Sequence, residues 1–229
     1  MPATRTRRRG VTARRRGPST GTIVAVAVLV LFAAAVGVGV GVHGAQTAAA
    51  GPAGVAPAGA TAEGVAVGHP DAPVTVDVYL DFQCPACARY EQQAGPVLDE
   101  LVASGRARVV YHPVAYLDRF SSTRYSSRSS AAAACAADAG VFPRYAALLY
   151  AAQPPEGGAG LPADRLVALG AQAGAGPDFG ACVQEGRYAG WTRSVTDAAS
   201  RAGITATPTV LVDGREVARS AEALRAAVG

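Results

Sequence analysis

Cys84-Pro85-Ala86-Cys87 lies between two segments of different periodicity, and that junction limits the fold more than any other feature of the chain. Before it, Val74 to Phe82 (VTVDVYLDF) is β-branched and aromatic and follows Pro73, the pattern of a buried strand. After it, Ala88 to about Ser104 reads as a helix, with Leu98, Leu101 and Val102 on one face and a kink expected at Gly95-Pro96. The two cysteines therefore fall at a strand-to-helix turn. Cys84 would sit at the helix N-terminus, where unpaired N–H groups and the positive end of the helix dipole favour a thiolate. Cys87, one turn further on, faces the same side and can close a disulfide, and Pro85 fits the first turn, where its missing N–H costs nothing.

A C-x-x-C has two chemical meanings, half of a zinc site or a redox dithiol. Zinc needs a second pair of ligands at compatible spacing. His43, His69 and His112 form no H-x₃₋₅-H, and Cys135 and Cys182 are far apart, so neither a metal nor a cofactor is expected. His112 reads as a strand-end packing residue and Trp191 as core.

Further along, Ala107 to Pro113 is a second strand. Ile204 to Val212, the tight turn Asp213-Gly214 and Arg215 to Ala218 read as a hairpin, and Ser220 to Val228 as a closing helix with Ser220 as its cap. Between about residues 118 and 203 no strand pattern occurs. Ser126–Asp138, Phe142–Ala152, Leu161–Ala173, Phe179–Glu185 and Tyr188–Ala202 read as helices broken by Gly or Pro. The fold class is α/β.

Strand, C-P-A-C, helix, strand, helical stretch, T-P-T, hairpin, helix is the order of a thioredoxin fold with an inserted all-helical subdomain. From about Val65 to the C-terminus the chain resembles the DsbA-like thiol-disulfide oxidoreductases, in particular membrane-anchored forms of high-GC Gram-positive bacteria. Gly68-His69-Pro70-Asp71-Ala72-Pro73-Val74 is similar to that family's approach to its first core strand, and Asp81-Phe82-Gln83-Cys84-Pro85-Ala86-Cys87 to its active-site run. Gln153-Pro154-Pro155-Glu156-Gly157 with Gly160-Leu161 resembles a loop of its helical domain, and Gly203-Ile204-Thr205-Ala206-Thr207-Pro208-Thr209 its cis-proline segment.

The resemblance implies that Cys84, Pro85, Ala86 and Cys87 form the reactive motif. It also implies a cis bond at Pro208 beside the dithiol, with Thr207 contacting the sulfurs and the substrate backbone. The substrates it implies are exported proteins that contain cysteine, and the partner a membrane reoxidase of the DsbB or vitamin K epoxide reductase type. Where such proteins commonly carry an acid, six residues before the first cysteine, this chain has Val78, with Asp77 and Asp81 nearby but in other strand phases. Asp81, acting through water, is the expected proton relay for Cys87. Cys135 and Cys182 are too distant in sequence to be a redox pair at one helix end and are expected to form a structural disulfide clamping two inserted helices. The expected function is oxidation of exported proteins. The rivals are a reductase or isomerase on the same scaffold, for example one serving cytochrome c maturation, and an anchored binding module whose C-x-x-C is a staple.

The first twenty residues hold seven arginines and no acid, which leaves fourteen arginines against seventeen acids in the rest of a chain of net charge +4. After this arm, residues 21–42 are uncharged and mostly apolar, about 33 Å of helix against a bilayer core of about 30 Å. The run is longer than a secretory signal's apolar region, and the nearest small-x-small site, Ala48-Ala49-Ala50, lies well downstream. By the positive-inside rule it reads as a single signal-anchor helix with the N-terminus cytoplasmic and the C-terminal domain extracytoplasmic. The expected organisation is a basic cytoplasmic arm (1–20), a transmembrane anchor (21–42), an Ala/Gly/Pro tether (43–62) and a redox domain (63–229) with its insertion at about 118–203. The basic balance is thus an orientation signal, with no electrostatic case for nucleic acid. Ser121 to Arg128, although rich in Ser and Arg, reads as a solvated loop and helix start.

Overall fold

The computed structural model describes residues 55–229. The basic arm, the expected membrane anchor and residues 43–54 of the tether lie outside the described residues. Among the described residues no helix is long and apolar enough to cross a membrane.

Alternation of apolar side chains along Val74–Leu80 (β2) puts Val76, Val78 and Leu80 into the core at 3% exposure or less. The strand lies at the centre of a five-stranded sheet of order β1-β3-β2-β4-β5, in which β1 is Val65–Val67, β3 Ala107–Pro113, β4 Thr209–Val212 and β5 Arg215–Glu216. Strands β2 and β3 run parallel with Val78 opposite Tyr111, and the remaining pairs are antiparallel, with Val78 opposite Val210 across β2 and β4. Sequence reasoning missed β1, whose three residues are too short a run to stand out. The strand expected to begin at Ile204 begins at Thr209, after Pro208, which has no N–H to give a ladder. Asp213 (φ 47°) and Gly214 (φ 75°) make the tight turn into β5.

Helix α1 (Pro85–Ala103) joins β2 to the parallel β3, and Leu98 and Leu101 are buried on its inner face. The helix runs on through Gly95-Pro96. Between β3 and β4 the chain forms helices α2 (Tyr125–Asp138), α3 (Phe142–Ala151), α4 (Ala163–Ala173), α5 (Asp178–Glu185) and α6 (Ala189–Arg201), and α7 (Ala221–Val228) closes the chain. Ser220 caps α7 through its hydroxyl, which accepts the Ala223 N–H at 3.1 Å. A disulfide joins Cys135 on α2 to Cys182 on α5, with 6.0 Å between the Cα atoms.

Many of the core positions of α2 are alanine, so its neighbours approach closely, and apart from Tyr125 at its start the large side chains come from elsewhere: Trp191, Tyr145, Phe142 and Phe179. Gly170 on α4 is part of that fit, because a Cβ there would lie 2.0 Å from the Phe179 ring. Gly170→Ala is expected to cost about 1–2 kcal/mol net, overpacking of about 1–3 kcal/mol outweighing a helix-propensity gain of up to about 1 kcal/mol. Urea unfolding of the variant measures it.

The tether ends earlier than its composition suggests. Residues 55–62 are docked on the domain: the Ala58 N–H donates to Asp138 at 3.0 Å, the Trp191 indole N–H donates to the Thr61 carbonyl at 2.9 Å, and Ala60 bridges to Val65. Pro57 is buried and Ala56 and Ala60 pack against the core, and the backbone's hydrogen bonds hold the segment in place. The folded unit therefore includes residues assigned from sequence to the linker.

Candidate active site

The turn Asp81–Cys84 ends β2, and Cys84 is the N-cap of α1, with Pro85 in its first turn. The Cys84 carbonyl accepts from the Cys87 and Ala88 N–H groups at 3.1 and 3.2 Å, so the N-terminal amides of α1 wrap around the first cysteine. Cys84 and Cys87 are both free thiols, 8% and 2% exposed, which makes Cys84 the sulfur that solvent and partners reach.

The two thiols have opposite electrostatics. A hydrogen bond from the Cys87 side chain is the main influence that brings Cys84 down to about 5, against partial burial, with help from the Cys87 and Ala86 amides and the Thr207 hydroxyl. Burial pushes Cys87 well up, and its bond to the Cys84 sulfur pushes the same way. One proton is thus shared unequally, as Cys84 thiolate and Cys87 thiol. An ultraviolet thiolate titration of the reduced protein is expected to show a midpoint near 5 that disappears in Cys84→Ser. Because the folded value lies below the ordinary thiol value of 9.0, Cys84 stabilises the reduced fold fully above about pH 9. That contribution is lost as pH falls through about 5.

The Thr207–Pro208 peptide bond is cis, and the Thr207 carbonyl oxygen lies 3.4 Å from the Cys84 sulfur. That contact serves the thiol form, whereas the thiolate takes the Thr207 hydroxyl. The Tyr116 hydroxyl holds this loop by donating to the Ile204 carbonyl at 2.6 Å.

Asp81 is fully buried below the turn. Its carboxylate oxygens accept the Gln83 and Leu117 N–H groups at 2.9 and 3.0 Å, and burial nevertheless raises it to about 6. Its main-chain N–H lowers the Cys87 thiol, against the burial that raises it. Asp77 is engaged elsewhere, 2.9 Å from His112 Nε2. His112 is buried at the end of β3, stacked on Tyr79 with 4.1 Å between ring centroids, and its Nδ1 faces the Glu63 carbonyl at 2.7 Å. Its position is that of a packing residue, away from the dithiol turn.

Other residues reach the turn from the helical insertion. The Gln83 amide donates to the Leu117 carbonyl at 2.7 Å, and the Gln153 amide donates to the Phe82 and Cys84 carbonyls at 2.9 and 3.1 Å. The buried Tyr150 packs its ring with 5.2 Å between centroids against Phe82. Gln153 opens the Q-P-P-E-G loop, so its segment was visible in the sequence but its target was not. Among the described residues no cluster of three or more His, Cys, Asp or Glu side chains is placed to hold a metal ion.

A thiolate at a helix N-terminus, a buried partner thiol and a cis-proline loop over both define a thioredoxin-type redox centre, and comparison with known proteins agrees. The family model described as Thioredoxin matches residues 60–229. The chain belongs to that family and, within it, to the DsbA-like thiol-disulfide oxidoreductases.

Among solved structures, the reduced disulfide bond oxidoreductase DsbG of Mycobacterium tuberculosis is 37% identical, with a TM-score of 0.62 over 71% of this chain and 81% of that one. Oxidised DsbA of the same organism is 35% identical, with a TM-score of 0.64 over 72% and 91%. MdbA of Corynebacterium diphtheriae, at 19% identity, a TM-score of 0.62 and 78% and 95% coverage, shares the fold. The serine/threonine-protein kinase PknE of Mycobacterium tuberculosis is 32% identical over 165 residues, 68% of this chain. The chain spans only 29% of that relative's length.

Proposed function

We propose that this protein introduces disulfide bonds into exported, cysteine-containing proteins from the outer face of the membrane. The observation that carries the reading is the asymmetry of the dithiol: Cys84 is held down to about 5 while burial holds Cys87 up. Stabilising the Cys84 thiolate stabilises the reduced protein, and a dithiol that is comfortable reduced makes an oxidising disulfide.

In the oxidising cycle a substrate thiolate attacks Cys84 Sγ of the Cys84–Cys87 disulfide. The bond between the two enzyme sulfurs breaks, a substrate–Cys84 bond forms, and Cys87 leaves as a thiolate that takes up a proton. A second substrate thiolate then attacks the substrate sulfur, forming the substrate disulfide and releasing Cys84 as the thiolate its surroundings favour. Two electrons pass to the protein. Asp81, buried beneath the turn and raised to about 6, is our assignment for the group that exchanges the Cys87 proton through water. The Thr207 and Pro208 segment presents backbone to an extended substrate. A membrane reoxidase of the DsbB or vitamin K epoxide reductase type would restore the disulfide, and the 22-residue apolar run behind the arginine arm would hold the domain beside it.

Expression of full-length Cys87→Ala, whose Cys84 thiolate can attack a disulfide of an exported protein and expel one substrate thiolate but has no partner thiol to resolve the product, tests the assignment. The variant is expected to accumulate mixed disulfides through Cys84 with exported proteins. Recovery of none, or only of a cytochrome maturation partner, would replace the oxidase reading with the staple or the reductase.

A further inference from the structure

The carbonyl and the sulfur of Cys84 both face the first amides of α1. The Cys87 N–H lies 3.1 Å from the Cys84 carbonyl oxygen and also bonds the Cys84 sulfur when that sulfur is charged. The Ala88 N–H reaches the same carbonyl at 3.2 Å, and Gln153 adds a donor from outside the helix. Its amide nitrogen sits 3.1 Å from the Cys84 carbonyl and 2.9 Å from the Phe82 carbonyl. The residue is held at the end of α3 by its own N–H, which donates to Tyr150 O at 3.1 Å. Asparagine in its place would be one methylene too short for the same reach, and serine or alanine would leave two carbonyls of the turn without this donor.

We propose that Gln153 is a positioning residue for thiol-disulfide exchange: donating to the Phe82 and Cys84 carbonyls from the helical insertion, it fixes the turn so that the first amides of α1 face the Cys84 thiolate. The insertion thereby sets the reactivity of a sulfur that belongs to the thioredoxin core. The inference rests on the Cys84-based redox function proposed above. It predicts that Gln153 acts on the reduced, charged state far more than on the disulfide, which has no thiolate to stabilise.

The test uses the full-length protein and two variants that keep the side chain's length, Gln153→Met, which has no donor, and Gln153→Glu, whose ionised carboxylate faces both carbonyls without one. Ultraviolet titration of the Cys84 thiolate and equilibration of the dithiol with glutathione are read side by side with unfolding of the oxidised and reduced forms. Gln153→Met is expected to weaken the Cys84 acid constant about three- to tenfold. Its redox equilibrium should shift toward the disulfide by the same factor, about 15–30 mV at 29.6 mV per tenfold for two electrons. Gln153→Glu should shift further in the same direction, and it carries the test alone if the Met variant does not fold. Unchanged titration and potential, or equal destabilisation of both redox forms, would overturn the role of Gln153. A wild-type protein that itself titrates near the ordinary thiol value would instead overturn the redox reading on which it rests.

Discussion

Cys84→Ser is expected to lower the rate of thiol oxidation in a reduced test protein at least about a thousandfold, to the uncatalysed background. The reason lies in the chemistry of the attacked atom: exchange requires a sulfur that can be bonded by substrate and released as a thiolate, and a serine hydroxyl does neither. Cys87, 2% exposed and with its thiol pushed well up, cannot take over, because it is out of reach of a protein substrate and carries little thiolate at neutral pH. The fold should persist, although the reduced protein loses the stabilisation that the Cys84 thiolate draws from the Cys87 and Ala86 amides. Residual activity above background in Cys84→Ser, with Cys87 in mixed disulfide with substrate instead, would reverse the roles of the two cysteines.

The second large effect concerns stability. Replacing both Cys135 and Cys182 by alanine is expected to cost about 4 kcal/mol, because the bond closes a loop with a sequence separation of 47 residues and so restricts the unfolded chain. At about 2–4 °C per kcal/mol for a chain of this size, the thermal midpoint should fall by roughly 8–16 °C. The bond ties α2 to α5, both outside the thioredoxin core, so thiol exchange per folded molecule should persist. Thermal unfolding without reductant, paired with an activity measurement below the transition, checks both parts. A shift under about 1 kcal/mol would mean that packing around Trp191, Phe179 and Tyr145 already holds the insertion together.

The order of strands and helices could be read from the sequence because the periodicities are local. The alternation of Val74 to Leu80, the apolar face of Leu98 and Leu101, and the Asp213-Gly214 turn each announce themselves within a few residues. The helical insertion was legible for the same reason, its breaks marked by Gly and Pro. What escaped was contact between distant residues. Gln153 bonds the backbone 69 and 71 residues before it, and Leu117 pairs with Asp81 and Gln83 through main-chain atoms, which leave no trace in side-chain pattern. The docking of residues 55–62 was hidden for a related reason: it runs through backbone groups and the indole of Trp191, 130 residues away. The central pair Cys84 and Cys87 was visible, but the difference between them was only half visible. A helix N-terminus suggests a thiolate at Cys84, whereas the rise at Cys87 comes from burial that only the fold creates.

The measurement that bears most directly on the proposed function is the reduction potential of the Cys84–Cys87 pair, obtained by equilibrating the full-length protein with glutathione of defined ratio and trapping the thiols. A depressed Cys84 and a raised Cys87 predict a potential nearer the strongly oxidising value of about −120 mV than thioredoxin's, about −270 mV. A value at or below about −270 mV would contradict the oxidase and assign the protein to disulfide reduction.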